Sequence, residues 1–282
     1  MADNVIRSIS AGLFERAKSF WVTAMFSKAA IAVMGLAAAY FHDATTYLAM
    51  AILAFELIAS LAFYRADQLK SEAEPILVRL DYEESMGWKI PESSKLDWVA
   101  DFQEFEPLGA RVRNAQPYFA QTGPTGVATL RKNILESALY TRTISKNART
   151  VVFVLFALLL LTFLALLITG TFELLATPHE PAPALITDAL IALVTIDLLP
   201  LALRYGELAD AAMKLRRHLN PVTAMTESNI IPAVVEYQVS RANGPLLPTF
   251  SFLARRLPLA AIWSRYDTDE TDENVSSNRG IV

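Results

Sequence analysis

The sequence predicts an all-α integral membrane protein with four transmembrane helices. A helical cytoplasmic domain is built from the linker between the second and third spans and from the C-terminal region. Three observations predict it. Four stretches are almost free of charge while the rest reads as ordinary soluble sequence. Strand-like alternation is sustained nowhere. Every Lys and Arg except Lys28 falls outside the apolar stretches and outside two of the loops that join them.

Composition sets the bounds. The 282 residues are 53% hydrophobic with a mean hydropathy of +0.32, a modest excess over soluble domains that is concentrated in the four stretches. The formal charge of -4 comes mostly from an acidic tail, so it does not argue against a basic surface elsewhere. The chain has no cysteine, which excludes disulfides and thiolate chemistry and fits a reducing compartment. His42, His179 and His218 lie far apart, and no metal-ligand spacing is present. No cofactor is expected. The amphipathic segment 1–20 has no convincing cleavage site and is expected to be retained.

A helix needs roughly 20 apolar residues to cross a bilayer. The expected spans are 21–41, carrying Lys28; 47–64, carrying Glu56; 150–172; and 182–203, carrying Asp188, Asp197 and Pro200. The loop between the first two spans and the loop between the last two contain neither Lys nor Arg. Arg65, Lys146, Arg149 and Arg204 sit at span ends. The positive-inside rule therefore places segments 1–20, 65–149 and 204–266 in the cytoplasm, with both termini there. Trp21, Tyr40, Tyr47 and Tyr64 lie near span ends, as interfacial aromatics do.

Within 65–149, residues 65–80 continue the second span as a helix. Pro91, Pro107 and Pro117 break the middle into short elements. Gly123-Pro124-Thr125-Gly126 marks a turn, after which 127–147 runs as a helix into the third span. Segment 123–132 lacks the Gly-Lys-Ser/Thr ending of a phosphate loop and has no strand before it. After the fourth span, 204–219 is helical and stops at Asn220-Pro221. Further helices are expected over 224–239 and 250–266, and the tail 267–282 is expected to be disordered.

No catalytic constellation stands out. Asp81, Glu83 and Glu84 read as a solvated helix end. The charges inside the spans are more informative, because each costs roughly 2.5–3.5 kcal/mol to insert and needs a partner or water. At 1.5 Å per residue, Lys28, Glu56 and Asp197 fall in one layer, roughly 10 Å below the cytoplasmic surface. One carboxylate is expected to pair with Lys28. The other must be protonated, reach a neighbouring subunit or face water. The layer reads either as a charged ring of the kind cation pores use or as a static salt bridge that fixes packing. Asp188 lies near the outer end of the fourth span, on a small and polar stripe with Ala192 and Thr195 suited to lining water. Nine residues separate it from Asp197, which places the two on opposite faces. Pro200 is a candidate hinge.

Arg111, Arg113, Arg131, Lys132, Arg216, Arg217 and Arg241 stand near aromatic residues in the cytoplasmic segments. Arginine with aromatics suits phosphates and stacked bases, while basic residues near span ends, and Arg255 and Arg256, equally suit lipid headgroups.

Three stretches stand out locally: Leu80-Asp81-Tyr82-Glu83-Glu84-Ser85-Met86-Gly87-Trp88-Lys89-Ile90-Pro91, Leu130-Arg131-Lys132-Asn133-Ile134-Leu135-Glu136, and Tyr237-Gln238-Val239-Ser240-Arg241-Ala242-Asn243-Gly244-Pro245-Leu246-Leu247-Pro248. With them, the order of two spans, a cytoplasmic insertion, two spans and a cytoplasmic C-terminal region resembles the SMODS-associated four-transmembrane effectors, pore-forming proteins of bacterial anti-phage defence. The resemblance covers most of the chain, and the last stretch is the best matched. The first stretch lacks the family's Trp-Asn ending and the second its Gln-Arg start.

The resemblance implies an effector of the bacterial inner membrane controlled by a cyclic nucleotide or a single-stranded oligonucleotide. A partner nucleotidyltransferase would make that signal, and the open pore would permeabilise the membrane. Four sparsely polar spans cannot enclose a wide pore alone, so a homo-oligomer is expected, with a tetramer favoured. The competing expectations are a housekeeping ion channel or transporter subunit, and a membrane anchor that recruits partners.

Overall fold

A computed structural model describes residues 2–41, 44–113, 124–176, 182–219, 226–248 and 263. Seven helices are described: α1 (Ala2–Tyr40), α2 (Thr45–Met86), α3 (Glu92–Phe102), α4 (Glu106–Arg113), α5 (Val127–Ala176), α6 (Ala182–Leu219) and α7 (Glu227–Asn243). A 3-10 turn, Gln103–Phe105, joins α3 to α4, and the described residues contain no strand. The expected helix over 250–266 lies outside the described residues apart from Trp263, as do Arg255, Arg256 and the acidic tail.

Each apolar stretch falls on a much longer helix. The four long helices have 39, 42, 50 and 38 residues, against roughly 20 for a bilayer crossing. Segment 1–20 is therefore not a separate amphipathic arm but the first half of α1. Pro75 lies inside α2 and Pro200 inside α6 without ending either helix, whereas α1 and α5 contain no proline. α2 stops at Gly87, whose φ of 73° lies in the left-handed region that side chains disfavour. The Gly126 N–H then donates to the Ser85 carbonyl at 2.7 Å, which docks the start of α5 beside the end of α2.

The molecule has two unlike ends. At the polar end, apolar side chains are inside. One core gathers Ile6, Ile9 and Leu13 of α1 with Ala73, Ile76 and Leu80 of α2 and the α3 face bearing Trp98. A second gathers Leu130, Ile134 and Ala138 of α5 with Ala212, Leu215 and Leu219 of α6, Ile230, Val234 and Tyr237 of α7, and Trp263. At the other end the pattern inverts. Phe26 and Val33 of α1, Tyr47, Met50, Leu53 and Leu57 of α2, and Phe153, Leu158 and Leu161 of α5 are exposed. Such a continuous apolar surface marks a face made for lipid or protein. α2 and α5 are long and apolar enough to cross a membrane. Only 17% of the apolar window of α2 and 22% of that of α5 is covered by the rest of the chain, far less than a buried core helix requires.

α4 crosses α1 at a glycine pair. A Cβ on Gly109 would lie 1.7 Å from the Ser8 carbonyl oxygen, and one on Gly12 would lie 2.0 Å from that of Phe105. Only glycine permits backbones this close. Lys95 of α3 ties the same region together, donating to Asp3 at 2.6 Å and to Glu83 at 3.0 Å. The Lys95 ammonium beside Asp3 holds that carboxyl below the usual carboxylate range.

Candidate functional site

Two polar clusters stand out, one among the apolar-end turns of the long helices and one within the polar end. The first joins Lys28 of α1, Glu56 of α2 and Asp197 of α6. The Lys28 Nζ donates to both Glu56 oxygens, at 2.7 and 2.9 Å, and to Oδ2 of Asp197. The expectation that only one carboxylate would pair with Lys28 is corrected: α1 packs against both α2 and α6, so both carboxylates reach the same ammonium. Two carboxyl groups thus share one amine. The members of the cluster differ in accessibility. The Lys28 side chain is 8% exposed, that of Glu56 29% and that of Asp197 55%. Asp197 therefore shows a carboxylate edge to whatever surrounds the helices. Asp188 and Thr195 lie on α6, but their side chains fall outside the described residues.

The second cluster is a buried seam between α2, α5 and α7. Lys70, Glu74, Asp81 and Ser85 occupy one face of α2, within an arc of about 60° at 100° per residue. Glu74 Oε2 accepts from Arg241 Nε at 3.0 Å and Nη2 at 2.7 Å. Asn133 donates to the Ser85 hydroxyl at 2.9 Å, and Tyr237 donates to Thr141 at 2.8 Å. Tyr82 donates to Gln238. Lys70 donates to the carbonyls of Arg241, at 2.7 Å, Ala242, at 2.9 Å, and Gly244. They lie in the last turn of α7 and just beyond it, where carbonyls lack an i+4 partner within the helix. Burial pushes the Lys70 ammonium down to about 8, against the pull of Glu74.

Asp81 is 2% exposed, so its reading as part of a solvated helix end is corrected. The end of α2 is covered by α1 on one side and by α5 and α7 on the other. Burial pushes the Asp81 carboxyl up to about 7, with Arg241 pulling the other way. Its Oδ1 accepts no hydrogen bond from the protein. Sequence reading missed this seam because charged residues are ordinarily solvated. The signal available was spacing: positions 70, 74, 81 and 85 on α2, and Asn133, Ser137, Thr141 and Ser145 on α5, one turn apart.

The seven residues grouped for anion binding are not brought together. Arg111, which is exposed, and Arg113, whose side chain falls outside the described residues, lie on α4 against α1. Arg131 and Lys132 start α5, and Arg216 and Arg217 end α6. The Arg131 Nε donates to the Leu219 carbonyl at 2.8 Å, so these four share one region. Arg241 is corrected from binding residue to core residue. It is 8% exposed, and Glu74 holds its guanidinium.

Fold and clusters together define an all-helical protein in which two helices are long and apolar enough to cross a membrane. No family model matches the chain, and neither a curated protein nor a solved structure does.

Proposed function

We propose that the chain is one subunit of a gated, oligomeric pore with four spans, α1, α2, α5 and α6, in the bacterial inner membrane. Both termini and the polar end face the cytoplasm. The observation that carries this reading is Asp197, a half-exposed acidic side chain in a cluster of two carboxyl groups and one amine at the depth of the apolar surface. A carboxyl edge left against lipid tails is costly, so the side of Asp197 turned away from Lys28 meets water or another subunit. Repeated around an oligomer, it forms a negative ring that favours cations. The continuity of each long helix from the polar end into the apolar end supports control from the cytoplasm.

The controlling signal is a nucleotide or oligonucleotide, on the strength of the family resemblance, and the role is anti-phage defence by membrane permeabilisation. Its contacts fall on the exposed arginines, Arg111 on one side and Arg217 on the other, and not on Arg241. The test is planar-bilayer recording of the purified protein under a salt gradient. The expected reversal potential lies towards the cation potential and shifts towards zero in Asp197→Asn. A reversal potential near that of chloride, or no conductance with and without nucleotide, overturns the reading.

A further inference from the structure

Residues 244–248, which follow α7, are buried or half-buried. They descend between the two helical hairpins, α1/α2 and α5/α6. Leu246 is buried against Ala17 of α1 and Ala66 of α2, with Phe20, Trp21 and Leu69 around it. Its neighbour Leu247 packs on the other hairpin, against Ala148 and Val152 of α5 and Ala202 and Tyr205 of α6. Two consecutive side chains thus join the apolar clusters of both hairpins. They lie near the border of the two ends: on the four long helices, exposed large apolar side chains run from Val22 on α1, up to Tyr64 on α2, from Val151 on α5 and up to Leu203 on α6.

The segment is held where it leaves α7 and again at Leu246. Above, Lys70 grips the last carbonyls of α7. Arg204 donates to the Asn243 carbonyl at 3.0 Å, and the buried Tyr205 hydroxyl donates to that of Leu246 at 2.7 Å. Gly244 sits so tightly on α6 that a Cβ there would lie 3.1 Å from Leu208. Pro245 and Pro248, both buried, restrict the backbone between.

The rest of the polar end is divided. The apolar core of α1, α2 and α3 is separate from that of α5, α6 and α7. Where α2 faces α5 and α7, Tyr82 and Met86 reach the second core, and beside them lies the polar seam of Glu74, Asp81, Ser85, Asn133 and Arg241. An apolar element shared by both hairpins at the border is the segment holding Leu246 and Leu247.

We propose that residues 243–248 are a coupling strap: displacement of α7 at the polar end is passed through Leu246 and Leu247 to the border ends of both hairpins, setting their separation. The strap's effect on conductance rests on the pore reading, but its effect on hairpin geometry does not.

The absence of cysteine makes the test direct. Spin labels at Asp67→Cys on α2 and Glu207→Cys on α6 report hairpin separation in the full-length protein in nanodiscs. Labels at Lys146→Cys and Asp210→Cys report the α5/α6 hairpin alone. All four positions are exposed. The expected result for Leu246→Ala, and for the milder Tyr205→Phe, is a distance distribution for the first pair at least twofold broader, with the second pair unchanged. No change in the first pair overturns the strap, and equal broadening of both pairs reduces it to ordinary core. In bilayers, the same variants are expected to change open probability severalfold. A conducting protein indifferent to them overturns the coupling alone. A protein that never conducts overturns the pore reading, and the distances still decide the strap.

Discussion

Arg241 and Glu74 form a buried pair, two guanidinium nitrogens on one carboxylate oxygen at 3.0 and 2.7 Å, that joins α7 to α2. Removing one partner leaves a charge in the interior. Arg241→Ala or Glu74→Ala is expected to lower stability by about 3–5 kcal/mol. The double replacement Glu74→Met with Arg241→Met is expected to recover most of it. Thermal unfolding in detergent, followed by far-UV circular dichroism, makes the comparison. An additive double variant would mean that the two residues do not act as a pair.

Asp81 makes stability pH-dependent. Its folded carboxyl is raised to about 7 from an ordinary value of 3.8, so between these values the folded state holds the proton more than the unfolded state does. Stability is therefore expected to fall as pH rises from about 4 to about 7, and this contribution is flat outside that window. The loss from this group is at most about 4 kcal/mol. Asp81→Asn is expected to flatten the profile over the same window. An unchanged profile would assign the effect to other groups.

The glycine crossing of α1 and α4 leaves no room for a methyl group. Gly109→Ala is expected to cost at least about 1–3 kcal/mol and to loosen α4 from α1. Faster amide hydrogen exchange over 106–113, with α5–α7 protected as before, is the readout. Exchange that does not change would mean that α4 shifts freely to accept the side chain.

Lys28→Met leaves the carboxylates of Glu56 and Asp197 facing each other without a cation. It is expected to destabilise the protein more than Asp197→Asn does, since the latter keeps the Lys28–Glu56 pair. Unfolding midpoints of the two variants in one detergent decide the order.

How far these features could be read in advance follows from what makes sequence legible. The Lys28, Glu56 and Asp197 layer was readable because a helix rises a fixed distance per residue and charges are conspicuous among apolar neighbours. The start of α5 at Val127 was readable from the turn before it. The end of α2 was set six residues early, because the left-handed turn at Gly87 is read from backbone angles and not from composition. The seam around Asp81 was illegible for a different reason. A carboxylate on an amphipathic helix is assigned to water unless the partner helix is known, and α7 lies some 150 residues further along. Arg241 was misread likewise, since only its contact with Glu74 reveals that it faces inward.

The prolines divide the long helices into two kinds. At 1.5 Å per residue α1 extends about 60 Å and α5 about 75 Å, both free of proline, and each is paired with a continuous helix that carries an interior proline, Pro75 or Pro200. Each hairpin therefore sets a helix with an unbroken hydrogen-bond ladder beside one that lacks a backbone donor at its proline. A tilt of about 5° about the middle of α1 moves each tip by about 3 Å, twice the radius of a water molecule at about 1.4 Å. In the pore proposed above, a tilt of that size is enough to let a file of water pass or to pinch it off.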